Sequence, residues 1–387
     1  MNRRMIPMGV RDMLPDEVKR FRKLENVALT LFQQYGYEEV IPPMLEYMDV
    51  IEAGTGEKVR DQLLLFMDRT GEILALRPEY TVSIARLATT HLESRAIPQR
   101  LCYSGSVFRH VQPQMAQYRE FRQVGIEMLG AAGPFADAEV IHIAGELLSS
   151  LGLPEYKISL NHIGIFNSLL ADSTLLNEEK NQVKDLIARK DLVALEELLN
   201  QLVMPESLKE TLLQLPIVHG GLEVFDQLPY LMQGTATRAA VDELVKVYEV
   251  LKSVYGSDGC ILIDMGILRG FDYYTGVVFE GYSPRLGYGI LGGGRYDHLL
   301  DQFQSPSPAT GFALGLERLT LALGADVDRT PGILVAGKDL MLVNQQAEVL
   351  RKTHSAVIAG FQSVTREEAE KWLMDLPEFQ LFYVDSI

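Results

Sequence analysis

The sequence is poor in cysteine, with only Cys102 and Cys260 among its 387 residues. Both lie in apolar, strand-like runs, RLCYSG and GCILID. Two isolated thiols argue against the disulfide framework of a small secreted protein and fit a reducing compartment. We therefore expect two buried thiols and a cytoplasmic location.

Long apolar runs are missing as well. No window approaches the roughly 18 continuous apolar residues that a membrane-spanning helix needs. The first residues, MNRRM, are basic, but no apolar stretch follows them as it does in a signal peptide. These absences predict a chain with no membrane partner.

Basic residues are outnumbered, since 36 Lys and Arg stand against 52 Asp and Glu and give a formal net charge of -16. A protein that binds nucleic acid uses cations to displace the counterions of the phosphates. No basic stripe is apparent in the sequence. The charge balance therefore weighs against tRNA as a partner.

The patterns that are present predict an α+β fold. An amphipathic helix spans Asp16–Tyr35, a hairpin surrounds the turn RTGE, and Asp137 is expected to cap a further helix. Neighbouring strands joined by short turns favour an antiparallel sheet flanked by helices over a doubly wound parallel sheet. We divide the chain into a core (1–170), a Leu- and Glu-rich helical insertion (171–255), a second part of the core (256–329) and a short α/β C-terminal segment (330–387).

Five sequence blocks resemble a known family. GYEEVIPPMLE, VFRHVQPQMAQYREFRQ and ATGFALGLERL are similar to the three motifs of class II aminoacyl-tRNA synthetases. LRGFDYYTGVVFE and LGGGRYD resemble the two signatures of the histidyl-tRNA synthetases. The resemblance runs from about residue 7 to residue 324 and is weakest in the insertion. It implies the class II synthetase fold, with a homodimer interface around Pro43.

The same resemblance implies a pocket for histidine. A free histidine offers an ammonium, a carboxylate and an imidazole, so its recognition needs acceptors, a cation and partners for the ring nitrogens. No metal and no cofactor are expected. The residues at the family's positions are Glu79, Thr81 and Gln123 for the amino group, Arg109 and Arg269 for the carboxylate, Glu127 and Tyr274 for the imidazole, and Tyr273 and Tyr296 along the wall.

Each of these residues also has a plainer interpretation by itself. Glu79 and Thr81 could simply cap the helix that follows them, and Arg109 could form a surface ion pair. Glu127 is more informative because it lies in the apolar run IEML, where burial of a carboxylate is costly unless it has a partner. The residues considered together, at matching positions in matching blocks, favour the pocket.

The second motif departs from the family at the residues that handle ATP. The synthetases read approximately FRxERPQxGRxREF, whereas this chain reads FRHVQPQMAQYREF. Val111 replaces the glutamate, and Gln112 and Gln117 replace two arginines. The loop that would hold the triphosphate has therefore lost two cations and a carboxylate. Tyr80 also replaces a family glycine, which predicts a narrower pocket.

The C-terminal segment is the second departure. The segment 330–387 is shorter than the about 90 to 100 residues that an independent anticodon-binding domain typically needs. A synthetase-like fold with an intact amino-acid pocket, a degraded ATP loop and no anticodon domain resembles the regulatory subunits of short-form ATP phosphoribosyltransferases. That family implies no catalysis by this chain, histidine as the feedback effector, no tRNA, and a separate catalytic subunit in a hetero-octamer.

Two other functions stay open from the sequence. The first is a truncated synthetase-like ligase that activates an amino acid for an acceptor other than tRNA, which an ATP–pyrophosphate exchange assay tests. The second is a scaffold that only dimerises, although a scaffold has no need for a polar pocket.

Overall fold

The structure is a computed structural model, and it describes residues 4–55, 57–111, 118–171, 173, 175–256, 259–268, 273–324 and 331–385. The chain divides into two compact units, Met1–Ala325 and Asp326–Ile387. Within the described ranges, no helix combines the length and the apolar character needed to cross a membrane.

The first unit contains twelve strands and eleven α-helices among its described residues. Its strands are β1 (Glu38–Glu39), β2 (Leu45–Tyr47), β3 (Leu64–Met67), β4 (Ile73–Leu76), β5 (Gln99–Phe108), β6 (Glu120–Leu129), β7 (Lys157–His162), β8 (His219–Gly220), β9 (Ile261–Asp264), β10 (Val277–Tyr282), β11 (Leu291–Arg295) and β12 (Ala309–Gly315). Its helices are α1 (Pro15–Gln34), α2 (Met48–Thr55), α3 (Thr81–His91), α4 (Pro134–Ser150), α5 (Ile163–Leu169), α6 (Asn177–Arg189), α7 (Leu192–Gln201), α8 (Glu206–Gln214), α9 (Val224–Gln227), α10 (Thr235–Ser253) and α11 (Leu316–Leu323).

Nine of these strands form one sheet in the order β1-β5-β6-β12-β11-β10-β7-β9-β8. The pairs from β5 to β7 are antiparallel, while β1 pairs with β5 and β7 pairs with β9 in parallel. The sheet is therefore mixed at its two ends and antiparallel in its centre. The predicted α+β fold with a helix-flanked sheet is confirmed. A separate antiparallel sheet joins β2, β4 and β3, which includes the predicted hairpin.

Strand β6 shows how the sheet separates the core from the functional face. Val124 and Ile126 belong to the apolar core that the sheet shares with α1 and α4. Because side chains alternate along a strand, Gln123 and Glu127 point to the opposite face. On the core side, Phe32 of α1 packs edge-on against Phe312 of β12, with ring centroids 6.0 Å apart.

Three local expectations need correction. Asp137 does not cap α4: the helix begins at Pro134, after Gly133, and the Asp137 side chain is buried against Arg295. Only one thiol is fully buried, since Cys260 is partly exposed. Strand β7 was not predicted, although its residues KISLNH alternate between polar and apolar groups.

The segment 171–255 is built almost entirely from helices α6 to α10. Their buried side chains recur at helical spacing, for example Leu195 and Leu199 on α7. The short strand β8 pairs with β9 and so joins this segment to the edge of the main sheet.

The second unit is a small parallel α/β structure. Its elements are β13 (Gly332–Gly337), α12 (Leu340–Arg351), β14 (Val357–Ala359), α13 (Arg366–Met374) and β15 (Phe379–Val384). The strand order is β14-β13-β15, with both pairs parallel. Helix α12 packs through Val343 on Val335, and α13 packs through Ala369 on Ala336, so adjacent residues of β13 serve two small cores. The apolar runs GILVAG and QLFYVD in the sequence predict β13 and β15, whereas β14 was not predicted.

Candidate functional site

A cavity of about 420 Å³ lies against the face of the sheet that carries Gln123 and Glu127. Eight of the nine residues that the sequence nominated line it, and they come from β4–α3, β5, β6, β10 and β11 or the loops beside them. The ninth, Arg269, lies outside the residues that the structure describes. The eight are Glu79, Thr81, Arg109, Gln123, Glu127, Tyr273, Tyr274 and Tyr296.

Glu127 is the most unusual group in the cavity. Its side chain is buried and accepts a hydrogen bond from Thr81 Oγ1 at 2.8 Å and another from the Tyr296 hydroxyl. The described residues place no cation in contact with it. Burial raises the pKa of Glu127 to about 8, against the hydrogen bonds from Tyr296 and Thr81. At neutral pH this carboxyl is therefore largely protonated, and it can both donate to and accept from a ligand.

Glu79 has two roles at once. Its Oε1 accepts a hydrogen bond from the Val82 amide at 2.9 Å, and its Oε2 accepts one from the Thr81 amide. Glu79 therefore caps the start of α3, which was the alternative to a role in the pocket. It also lines the cavity. Burial raises the pKa of Glu79, which the Arg109 guanidinium partly offsets.

Arg109 is held in the cavity wall rather than on the surface. Its Nε donates to the Pro78 carbonyl at 2.9 Å, and its guanidinium lies 5.4 Å from the centre of the Phe121 ring. Burial lowers the pKa of Arg109, and the nearby Glu79 counteracts that shift. Its place in the cavity lining favours the pocket interpretation of Arg109 over the alternative of a surface ion pair.

Gln123 has a polar atom without a protein partner. Its Oε1 is buried and accepts no hydrogen bond from any described residue. An unsatisfied buried acceptor costs about 1–3 kcal/mol. A ligand ammonium bound in the cavity would remove that cost.

Tyrosines form the wall beside Glu127. The Tyr273 ring lies 4.9 Å from that of Tyr274 and 5.6 Å from that of Tyr296. Two glycines make this packing possible. A Cβ at Gly294 would lie 3.0 Å from the Tyr274 ring, and one at Gly311 would lie 2.0 Å from Glu127 Oε2. Glycine is therefore required at both positions by close approach of the aromatic and carboxyl groups.

The expectation that Tyr80 narrows the pocket was wrong. Its ring stacks on that of Tyr103 at 4.1 Å, and its hydroxyl accepts a hydrogen bond from Arg77 Nη2. The added ring fills space beside Gly105, where a Cβ would collide with its hydroxyl. Tyr80 does not line the cavity.

The far end of the cavity carries residues of the second and third motifs. Val111 and Phe121 lie on one side, and Glu317 and Arg318 lie on the other. Gln112 and Gln117 lie outside the described residues. We call this part the nucleotide end and the part around Glu127 the imidazole end.

At the nucleotide end the retained groups bond to the protein. Arg318 Nη1 donates to the Gly289 carbonyl at 2.8 Å, and its guanidinium stacks over the Tyr288 ring at 5.1 Å. Glu317 accepts from the Arg122 amide through both oxygens, at 3.1 and 3.0 Å. Burial raises the pKa of Glu317 to about 7. Glu317 was missed as a site residue, although it stands in the third motif.

The described part of the chain holds no cluster of three His, Cys, Asp or Glu residues that could bind a metal ion.

Comparison with known proteins places the chain in a family. The histidyl-tRNA synthetase family model matches residues 9–319. A protein of Moorella thermoacetica named ATP phosphoribosyltransferase regulatory subunit is 43% identical over 366 residues, which cover 94% of both chains. A protein of the same name from Desulfitobacterium hafniense (strain DSM 10664 / DCB-2) is 38% identical over 94% of both chains.

Solved structures agree with this assignment. An ATP phosphoribosyltransferase regulatory subunit/histidyl-tRNA synthetase from Bacillus halodurans C has a TM-score of 0.87 and 30% identity, covering 100% of this chain and 99% of its own. A histidyl-tRNA synthetase from Nostoc sp. PCC 7120 has a TM-score of 0.83 at 20% identity, over 99% of this chain and 91% of its own, and so shares the fold. The chain belongs to the histidyl-tRNA synthetase family and, within it, to the ATP phosphoribosyltransferase regulatory subunits.

Proposed function

We propose that this chain is a non-catalytic regulatory subunit of ATP phosphoribosyltransferase, and that it senses histidine in the cavity described above. The transferase chemistry belongs to a separate, short-form catalytic subunit, with which the chain assembles as a hetero-octamer. Histidine acts as the feedback effector of this first step of histidine biosynthesis.

The observation that carries the proposal is the pair of incompletely satisfied groups at the imidazole end. Glu127 is buried without a cation among the described residues, and Gln123 Oε1 has no partner there. Both arrangements are costly in an empty protein. A histidine ligand relieves both, because its imidazole contacts Glu127 while its ammonium donates to Gln123 and Glu79.

The nucleotide end supports the absence of catalysis. Activation of an amino acid on ATP needs cations aimed at the phosphates. Val111 supplies no charge, and Arg318 is already bonded to the Gly289 carbonyl and stacked on Tyr288. The overall charge of -16 adds to the case against polyphosphate and tRNA ligands.

An exposed apolar surface supports homodimer formation around Pro43. Arg77 fixes this segment, since its Nη1 donates to the Pro42 carbonyl at 2.8 Å and to the Pro43 carbonyl at 3.3 Å. The small sheet beside it leaves Tyr47 and Met67 55% and 70% exposed. A self-complementary patch of this kind closes with twofold symmetry.

The decisive experiment is reconstitution with a short-form catalytic subunit. We expect the two proteins to co-purify, the catalytic subunit to need this chain for activity, and histidine to inhibit the complex. Titration of the isolated chain with histidine by calorimetry should also give a saturable signal. A chain that neither activates the transferase nor binds histidine would contradict the proposal.

A further inference from the structure

A buried ion pair lies directly behind the imidazole end. Arg295 and Asp137 are 3% and 2% exposed. Arg295 Nε donates to Asp137 Oδ2 at 2.9 Å, and Nη2 lies 2.8 Å from Oδ1. Neither residue lines the cavity. Their role is therefore not direct contact with a ligand.

The remaining nitrogen of the guanidinium ties the pair to neighbouring backbone. Arg295 Nη1 donates to Asp297 Oδ1 at 2.9 Å and to the Ala131 carbonyl at 3.1 Å. Asp297 Oδ1 also accepts from the Ala309 amide at 3.1 Å. One guanidinium thus joins the start of α4, the end of β11 and the start of β12.

These bonds fix the residues next to two wall tyrosines. Tyr296 follows Arg295 directly, and its amide donates to the Ala309 carbonyl at 2.8 Å. Thr275 follows Tyr274, and its amide donates to the Arg295 carbonyl at 2.8 Å. Thr275 Oγ1 in turn accepts from the Asp297 amide at 3.0 Å.

The side chain of Arg295 also packs where only glycine leaves room. A Cβ at Gly276 would lie 3.0 Å from Arg295 Cδ, and a Cβ at Gly294 would touch the Tyr274 ring. The stem of Arg295 and the ring of Tyr274 therefore occupy fixed places around two glycines. A shift of the guanidinium would move both tyrosines relative to Glu127.

A buried ion pair is a weak source of stability, because apolar residues of similar volume often replace it without loss. Its better-attested use is to specify one geometry. Here the geometry that it specifies is the contact of the Tyr296 hydroxyl with Glu127.

We propose that Arg295 and Asp137 are positioning residues that hold Tyr296 and Tyr274 against Glu127, and thereby set the preference of the cavity for an imidazole ring. The pair acts on the ring-reading contacts and not on those to the ligand's ammonium. This inference rests on the proposed histidine site and concerns its selectivity.

The test compares L-histidine with L-β-(2-thienyl)alanine, an amino acid of similar shape whose ring has no N–H group. Dissociation constants are measured by calorimetry, with competition for the weaker ligand. For Arg295→Lys we expect the ratio of the two constants to fall about tenfold, since a site built for ring hydrogen bonds loses discrimination when they are misaligned. The analogue's own constant should change less than about twofold. A purely structural defect would weaken both ligands alike.

Two further variants complete the design. Arg86→Lys is the matched control, because Arg86 makes an ion pair of 2.7 Å with the buried Glu46 and neither residue lines the cavity. It should leave the ratio unchanged. Arg295→Lys combined with Asp137→Glu should recover much of the ratio, since the longer carboxylate reaches the shorter cation.

Should Arg295→Lys fail to fold, Asp297→Ala decides the matter. It removes the bonds that Asp297 Oδ1 accepts from Arg295 Nη1 and from the Ala309 amide and leaves the Arg295–Asp137 pair intact, so we expect a loss of about threefold in the ratio. An unchanged ratio in a folded Arg295→Lys or, failing that, in Asp297→Ala overturns the positioning role while the histidine site stands. A parental protein that binds neither ligand overturns the proposed function, and this inference with it.

Discussion

The imidazole end and the nucleotide end of the cavity share one sheet but differ in what surrounds their buried groups. At the imidazole end, Gln123 Oε1 has no partner among the described residues and Glu127 has only two hydroxyls. At the nucleotide end, Arg318 and Glu317 are already engaged by backbone groups. The imidazole end thus leaves buried groups that a ligand can bond, whereas at the nucleotide end the protein's own backbone already bonds Arg318 and Glu317. We therefore expect this chain to keep amino-acid recognition without the ATP chemistry of the synthetases.

The largest expected difference between the two ends is in catalysis, and activation of histidine on ATP by this chain would contradict the comparison. We expect no histidine-dependent ATP–pyrophosphate exchange by the purified chain. Each lost contact to a developing phosphate charge costs about 10²–10³ in rate, and Val111, Gln112 and Gln117 remove up to three of them. The assay follows labelled pyrophosphate into ATP. Exchange above that of a mock preparation would show that the nucleotide end is still functional.

A second prediction asks whether the imidazole end works without the dimer. Tyr47→Glu places a charge on the exposed apolar surface of the small sheet and should raise the dimer dissociation constant about hundredfold. None of the described residues of β2, β3 or β4 lines the cavity, so histidine affinity should stay within about twofold. Light scattering measures the assembly and calorimetry the binding.

Val203→Glu is the control for this experiment, because Val203 is an 86% exposed apolar residue of the helical insertion. It should leave the dimer intact. A parental chain that is monomeric at micromolar concentration contradicts the predicted interface.

A third prediction compares how a substitution at each end of the cavity changes inhibition by histidine. Glu127→Gln keeps the shape of the side chain, but an amide cannot transfer a proton to the ring as the carboxyl can. The variant therefore forms no carboxylate–imidazolium pair, and loss of that charge-assisted bond costs about 2 kcal/mol. The inhibitory histidine concentration of the reconstituted complex should rise about thirtyfold, with basal activation of the partner unchanged. Glu317→Gln at the nucleotide end should leave the inhibition curve within about twofold of the parent.

The same assay applies to Arg269, whose predicted partner is the ligand carboxylate. Arg269→Ala should also raise the inhibitory concentration about thirtyfold. Parental inhibition curves for both Glu127→Gln and Arg269→Ala would move the feedback site elsewhere, most simply to the interface with the catalytic subunit. Loss of basal activation in both would show that these residues support the fold.

Much of this site could be predicted from the sequence because its residues stand in short, ordered blocks. The family resemblance implied Glu79, Thr81, Gln123 and Glu127 as site residues. Strand alternation adds that Gln123 and Glu127, four residues apart, lie on the same face of their strand. The chain order of the strands was likewise readable from apolar runs and turns. Strands β7 and β8 of the central sheet were not predicted. In β7 the polar Asn161 is buried by bonds to the Met265 and Ile267 carbonyls, and β8 has only two residues.

The sequence failed where a side chain finds a distant partner. Asp137 is a residue type that often caps helices, and it precedes a helical pattern in the sequence. In the structure its carboxylate instead accepts a hydrogen bond from Arg295, 158 residues away. Tyr80 replaces a glycine in a pocket motif, but Arg77 and Tyr103 draw it out of the cavity. Both errors arise because local patterns carry no information about long-range ion pairs and aromatic stacking.

The smallest expected effect is on the pH dependence of stability. It distinguishes the buried carboxyl of the imidazole end, Glu127, from that of the nucleotide end, Glu317. Burial raises the pKa of Glu127 to about 8 and that of Glu317 to about 7, from an ordinary 4.5. Above pH 4.5 an unfolded chain ionises both groups, while the folded chain keeps them protonated. The folded state then binds more protons, so the free energy of unfolding falls as pH rises. The fall ends near pH 7 for Glu317 and near pH 8 for Glu127.

Of these two carboxyls, only Glu127 still contributes a slope between pH 7 and 8, of at most about 1.4 kcal/mol per pH unit. We therefore expect Glu127→Gln to flatten the pH dependence of the thermal midpoint in this window, and Glu317→Gln to flatten it mainly below pH 7. Since Glu79 is present in both variants, its contribution cancels. A parental slope between pH 7 and 8 that survives Glu127→Gln would mean that another group titrates there. The difference in pKa between Glu127 and Glu317 would then no longer explain the slope.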